Sequence, residues 1–193
     1  MRIGIFGGTF DPPHIAHLII AEQARQQLRL HKVLFVPAHD PPHKKGKAWA
    51  TPAQRLAMLK LATSGVRGFE VSSIEIGRKG LSYTVDTLHE LKSKFKNADF
   101  FLIVGGDNFA QLDSWKSVEE ILRMATPVVY ERDHGGATKT LTNPPTKISL
   151  HGPLLKISST MIRERVRDGV SIRFLVPAAV ESYIQRHKLY QKR

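Results

Sequence analysis

Ile3-Gly4-Ile5-Phe6-Gly7-Gly8-Thr9-Phe10-Asp11-Pro12-Pro13-His14-Ile15-Ala16-His17 decides the fold. A short apolar run, Ile3 to Phe6, breaks at Gly7-Gly8, and from Ile15 to Leu30 the residues Leu18, Ile19, Ala21, Ala24 and Leu28 recur at near-helical spacing, predicting strand, turn and helix. Lys32 to Pro37 then carries Val33-Leu34-Phe35-Val36, whose length and β-branched content predict a second, buried parallel strand and complete a βαβ unit. At the turn, small residues let backbone amides approach an anion, and the helix start adds unpaired N–H groups and a positive dipole end. His14 and His17 lie three residues apart at that start, on neighbouring parts of one face, so both are able to address the same phosphates. Either histidine alone reads as a surface residue; position and pairing favour function. No Gly-Lys-Ser or Gly-Lys-Thr follows and the three spaced glycines of the dinucleotide fingerprint are missing, so a different nucleotide-binding pattern is required.

The βα alternation continues along the chain. Residues 38–50, with prolines, histidines and lysines, predict a loop before a helix that opens at Thr51-Pro52-Ala53-Gln54, a capping-box start with Pro at the first helical position. A strand is expected over Phe69 to Ile76, a helix with an apolar face of Val85, Leu88, Leu91 and Phe95, and a strand over Phe100 to Val104 ending in Gly105-Gly106-Asp107. Lys92, Lys94 and Lys96 at the end of that helix read as solvated surface that complements the dipole. A short helical stretch, a helix around Val118 to Met124 and a strand over Pro127 to Tyr130 follow. Residues 133–146, rich in Gly, Thr and Pro, read as a mobile connection; Lys147 to Leu150 as a late strand; two helices close the chain. The expected class is α/β: a Rossmann-like, doubly wound, mainly parallel sheet with helices on both faces, plus a C-terminal helical segment. Its ligand crevice lies beyond the carboxyl ends of the strands.

Composition narrows the function classes. With 193 residues, 41% of them hydrophobic, the expectation is one domain over 1–193, with 156–193 as a helical subregion. There is no apolar run of membrane-spanning length, and Met1-Arg2-Ile3-Gly4 leads directly into a strand, so a cytoplasmic protein without membrane association is expected. The absence of cysteine excludes disulfides, thiolate zinc sites and a cysteine nucleophile. The net charge of +12 suits nucleic acid, an anionic surface or small polyanions; the basic residues are scattered, without the clustered basic and aromatic pattern of a nucleic-acid-binding module. No acidic cluster has metal-ligand spacing, so no protein metal ligand is assigned.

The stretch from Gly7 to His17, with Gly8, Thr9 and Phe10 in its turn, resembles the signature of the nucleotidyltransferase superfamily, with Ala16 standing where that pattern has glycine. Ile157-Ser158-Ser159-Thr160-Met161-Ile162-Arg163 resembles the superfamily's late phosphate motif. Its hydroxyls and helix-start amides suit anionic oxygens, and Arg163 offers a planar fork of donors. Within the superfamily, Gly80-Leu81-Ser82-Tyr83-Thr84-Val85-Asp86-Thr87-Leu88 is similar to the stretch that holds the pyridine base in nicotinate-nucleotide adenylyltransferases, and Trp115 matches their base-stacking tryptophan. Gly106 and Asp107 resemble their Gly-x-Asp element beside nucleotide sugars, Lys44 sits in their Pro-Pro-His-Lys loop, and Arg132 stands where they have arginine, with Asp133-His134 replacing the usual Pro-Gly.

The resemblance implies an enzyme that transfers the adenylyl group of ATP to nicotinate mononucleotide, giving deamido-NAD and pyrophosphate in NAD biosynthesis. In-line attack on the α-phosphorus would proceed without a covalent intermediate. His17 and His14 would be the catalytic pair. Gly8, Thr9, Phe10, Lys44, Gly106, Asp107, Ile157, Ser158, Ser159, Thr160 and Arg163 would bind ATP and phosphate, and Tyr83, Thr84, Asp86, Trp115 and Arg132 the pyridine nucleotide. Mg²⁺ would enter with ATP, held by phosphate and water. A sister enzyme using phosphopantetheine or nicotinamide mononucleotide is the closest alternative, and a homo-oligomer is compatible with the sequence.

Overall fold

The computed structural model describes residues 1–41, 48–130, 146–153 and 155–192. Strand β1 (Arg2–Gly8), helix α1 (Ile15–Gln27) and strand β2 (Lys32–Pro37) form the opening βαβ unit. Then come α2 (Pro52–Thr63), β3 (Phe69–Val71), α3 (Ile74–Arg78), α4 (Thr84–Lys94), β4 (Asp99–Gly105) and the one-turn α5 (Gly106–Phe109). After a 3₁₀ turn at Leu112–Ser114 follow α6 (Val118–Met124), β5 (Ala125–Tyr130), β6 (Ile148–Leu150), α7 (Ser159–Arg167) and α8 (Ala178–Arg186). The six strands lie in the order β3-β2-β1-β4-β5-β6, and every neighbouring pair is parallel.

Side chains alternate across this sheet as a two-sided core requires. Ile3, Ile5, Leu34, Val36, Phe100, Leu102 and Val104 face one way, onto Val85, Leu88, Leu91 and Ile121 of α4 and α6. Phe6, Val33, Phe35, Phe101 and Ile103 face the other, onto Ile20, Ala21 and Ala24 of α1 and Leu59 of α2. Gly4 is confined by this packing: a Cβ there would sit 2.8 Å from Leu30 Cδ1. A third cluster joins Met58 and Ala62 of α2 to Ile162, Val180 and Ile184 of α7 and α8, which seats the C-terminal helices beside the first strand–helix turn. The predicted capping box is present: Thr51 Oγ1 accepts from Gln54 N at 3.3 Å and Gln54 Oε1 from Thr51 N at 2.9 Å.

One predicted element is wrong in extent. The strand expected to run to Ile76 stops at Val71, and Ile74 to Arg78 is helical. β3 is an edge strand that pairs only with β2. Past it, side-chain partners on α4 take over: Thr87 Oγ1 donates to Glu75 Oε1 at 2.6 Å, and Arg78 pairs with Glu90. The expected connection over 133–146 falls almost wholly outside the described residues.

The chain departs to opposite sides from the adjacent strands β1 and β4. Their carboxyl ends, Gly7–Thr9 and Gly105–Asp107, therefore flank the switch point where an open α/β sheet forms its ligand crevice.

Candidate active site

Two cavities open at that switch point and share the wall Gly7–Thr9 and the side chain of Asn108. The first, about 330 Å³, is lined by Gly8, Thr9, Phe10, His14, His17, Asp107, Ser158, Ser159, Thr160 and Arg163, which unites the two phosphate-type motifs although some 140 residues separate them. Direct bonds hold them together. Ser159 Oγ donates to Pro12 O at 2.8 Å, and Arg163 donates from Nη1 to Asp11 O at 2.7 Å and from Nη2 to Thr160 Oγ1 at 3.1 Å. Ser158 caps α7, its Oγ accepting from Met161 N at 3.2 Å.

The two histidines stack, with ring centroids 3.6 Å apart and planes 24° from parallel. His14 is buried as the N-cap residue of α1. Its backbone N–H donates to His17 Nδ1 at 3.1 Å, so the His17 proton resides on Nε2 and that edge of the ring is a hydrogen-bond donor. Phe10 packs edge-on against His17 at 5.0 Å and fixes its ring plane. Phe10 itself has φ 49°, a left-handed conformation that a bulky residue adopts only under constraint from its surroundings.

The second cavity, about 360 Å³, is framed by Tyr83, Thr84, Trp115 and Lys116 around an apolar floor that includes Ile5, Leu102 and Val104. Lys116 Nζ lies 4.5 Å from the Tyr83 ring centroid and 3.4 Å from both carboxylate oxygens of Asp86. Tyr83 is the N-cap residue of α4, and no side chain among the described residues caps that helix. Its first-turn N–H groups are therefore donors at the cavity wall beside Thr84.

Three predicted residues stand off these walls. Asp86 acts on the second cavity only through Lys116. Gly106 is the first residue of α5 behind Asp107, and Ile157 packs into the third apolar cluster. Lys44 and Arg132 lie outside the described residues.

Four buried polar residues escaped sequence reasoning. Asp11 accepts from Trp49 N at 2.7 Å, Ala50 N at 3.2 Å and the Tyr190 hydroxyl at 2.7 Å, tying the turn to the loop before α2 and to the C-terminus. Burial pushes the Tyr190 phenol above its ordinary value, with the Asp11 charge adding to it. Arg55 is fully buried and donates to four carbonyls: Ala50 at 3.3 Å, Thr9 at 2.8 Å, Ala38 at 2.6 Å and His39 at 2.9 Å. Burial lowers its pKa, yet guanidinium stays charged at any physiological pH, so a fixed cation is bonded to Thr9 in the wall the cavities share. Glu75 lines the second cavity with its carboxyl pKa raised by burial, an effect its hydroxyl partners only partly offset.

Residues 5–165 match the cytidylyltransferase-like family. A Synechococcus sp. (strain JA-3-3Ab) protein named "Probable nicotinate-nucleotide adenylyltransferase" is 45% identical over 195 residues, covering 98% of this chain and 94% of that one. This chain belongs to the nicotinate-nucleotide adenylyltransferase family. A relative from Desulfitobacterium hafniense (strain Y51) with the same printed name is 41% identical over 98% of this chain and 96% of its own. In three dimensions, the Plasmodium falciparum nicotinic acid mononucleotide adenylyltransferase complexed with NaAD superposes with a TM-score of 0.80 at 20% identity, over 98% of this chain and 97% of that one. The same Plasmodium enzyme complexed with APC gives a TM-score of 0.78. The family's fold is thus the fold described above, with an all-parallel sheet and its crevice at the β1/β4 switch point.

Proposed function

We propose that this chain transfers the adenylyl group of ATP to nicotinate mononucleotide, releasing pyrophosphate and forming deamido-NAD for NAD biosynthesis. The observation that carries this reading is the pair of abutting cavities, one lined by phosphate-type donors and one by a flat aromatic frame with helix-start amides, sharing the Gly7–Thr9 wall.

In this account ATP lies with its phosphates among His14, His17, Ser158–Thr160 and Arg163, and Asp107 accepts hydrogen bonds from the sugar hydroxyls. The pyridine ring stacks on Trp115 beside Tyr83, and the α4 amides at Thr84 receive its carboxylate. The acceptor's 5′-phosphate then meets the α-phosphorus along the shared wall. Attack by one phosphate oxygen breaks the α–β bridge, and pyrophosphate leaves with its bonding pair. The protein's task is alignment and charge stabilisation, which fixed donors in a confined site do well. His17 Nε2–H is the donor assigned to the α-phosphoryl oxygens. Lys44 and Arg132, assigned by the family resemblance alone, would add positive charge toward the phosphates and the pyridine nucleotide.

Mg²⁺ accompanies ATP as its phosphate complex, screening charge on the leaving pyrophosphate. Among the described residues no group of three or more His, Cys, Asp or Glu side chains is placed to hold a metal ion. No helix among the described residues is long and apolar enough to cross a membrane. Incubation with Mg²⁺-ATP and nicotinate mononucleotide should yield the dinucleotide and pyrophosphate in equal amounts by chromatography; pyrophosphate without dinucleotide would overturn the assignment.

A further inference from the structure

Glu75 is the only acidic side chain in the wall of the second cavity among the described residues, and it is 7% exposed. Its carboxyl gathers two hydroxyls from either side of the base-binding segment. Thr87 Oγ1 donates to Oε1 at 2.6 Å, and the Ser82 hydroxyl lies near enough to the same carboxyl to favour its charged form. Both hydroxyls have acceptor duties elsewhere. Ser82 Oγ accepts from His39 N at 2.9 Å and Thr87 Oγ1 from Arg78 Nη2 at 3.0 Å, which leaves both O–H groups free to donate; for Thr87 the Glu75 oxygen at 2.6 Å is nearer than the Tyr83 carbonyl at 3.3 Å. Two facing donors call for two acceptor oxygens. A carboxylate supplies them, whereas an amide would set its NH₂ against one of the hydroxyls.

Between these two anchors lie Tyr83, Thr84 and the first turn of α4. The Ser82 end is also tied to the segment that follows β2, since Ser82 N donates to Asp40 O at 3.0 Å.

We propose that Glu75 is a positioning residue for acceptor-base specificity: by holding the Ser82 and Thr87 hydroxyls it fixes the Tyr83–Thr84 amides where they distinguish a ring carboxylate from a ring carboxamide. The inference rests on reading this cavity as the pyridine site. Discrimination between two such similar groups depends on a donor's placement, because one mispaired polar contact is enough to remove it.

The test is steady-state kinetics of Glu75→Gln, Ser82→Ala and the double variant, with nicotinate and nicotinamide mononucleotide as acceptors and thermal melting to verify folding. Glu75→Gln should raise the KM for nicotinate mononucleotide by about tenfold or more. Its preference over the amide should fall by a similar factor, while the KM for ATP stays within about twofold. The double variant should be no worse than Glu75→Gln, because the two residues act through one network. Should Glu75→Gln not fold, Ser82→Ala and Thr87→Val carry the same expectation. An unchanged acceptor KM and preference, a parallel rise in the KM for ATP, or full multiplication of the two single effects would overturn the proposal. If the wild-type chain makes no dinucleotide from nicotinate mononucleotide, the reading of the cavity fails and this inference with it; a wild-type chain that turns over normally isolates the role of Glu75.

Discussion

Replacing His17 by alanine removes two functions that the structure allows to be separated. One is the Nδ1 acceptor that receives the His14 N–H at 3.1 Å and closes the start of α1. Loss of a helix-start bond costs about 1 kcal/mol, and losing the edge-on contact with Phe10 at 5.0 Å removes roughly another 0.5–1.5 kcal/mol. At roughly 2–4 °C per kcal/mol for a chain of this size, the melting temperature should fall by about 3–10 °C. The other function is the Nε2–H donor. Loss of one preorganised donor to transition-state charge lowers kcat by about 10²–10³, or roughly 2.7–4 kcal/mol. The KM for ATP should change little, because the contact strengthens mainly in the transition state. His17→Gln separates the two effects: glutamine at this helix position is able to return a bond to the N-cap N–H, as in a capping box, but then has no ring N–H held in a fixed direction. Melting should recover most of the loss while kcat stays low. Circular dichroism melts and a coupled pyrophosphate assay on the three proteins decide it. Near-normal turnover of His17→Ala, or recovery of kcat together with stability in His17→Gln, would refute the catalytic assignment.

Tyr190→Phe should lower the melting temperature by about 3–12 °C, since a hydrogen bond to a charged partner contributes roughly 1.5–3 kcal/mol and the Tyr190 hydroxyl donates to buried Asp11 at 2.7 Å; an unchanged melt would show that the C-terminus is not anchored there. Burial raises the folded-state pKa of Glu75 above its ordinary 4.5, so the folded chain binds more protons than the unfolded one between 4.5 and that raised value. Stability relative to Glu75→Gln should therefore fall as pH rises through this window; urea melts of both proteins from acid to neutral pH measure it, and a difference that grows with pH contradicts the burial argument. Despite the net charge of +12, duplex DNA and single-stranded RNA should bind only weakly, with a shallow salt dependence; a steep loss of tight binding with added salt would reveal an extended phosphate-contacting face.

The opening βαβ unit and the later βα alternation were legible because continuous apolar runs of strand length and helical periodicity are local properties. Helix α2 was legible from its Thr51-Pro52-Gln54 start alone. The strand order, with its reversal beside β1, depends on which strands pair, and adjacency in the chain does not specify that. The strand expected over Phe69 to Ile76 was overextended because its apolar residues serve a short edge strand, Phe69–Val71, and then a helix. Ser72-Ser73-Ile74-Glu75 carried a helix-start signal of the Ser-x-x-Glu kind that argued for a break there. Among the candidate site residues, His14 and His17 stood out by their pairing at the strand–helix turn, and the Ser158–Arg163 segment by its resemblance to the superfamily's late phosphate motif. Arg55 and Glu75 did not, since a charged residue reads as solvated until its partners are known. Arg55 is satisfied by carbonyls of Thr9, Ala38, His39 and Ala50, and Glu75 by the Thr87 hydroxyl on another helix, contacts that exist only in the folded chain.

The most direct measurement is kcat/KM for pyrophosphate release from Mg²⁺-ATP with nicotinate mononucleotide, nicotinamide mononucleotide or phosphopantetheine as sole acceptor. The account predicts turnover led clearly by nicotinate mononucleotide; activity confined to phosphopantetheine, or none with any of the three, would contradict it.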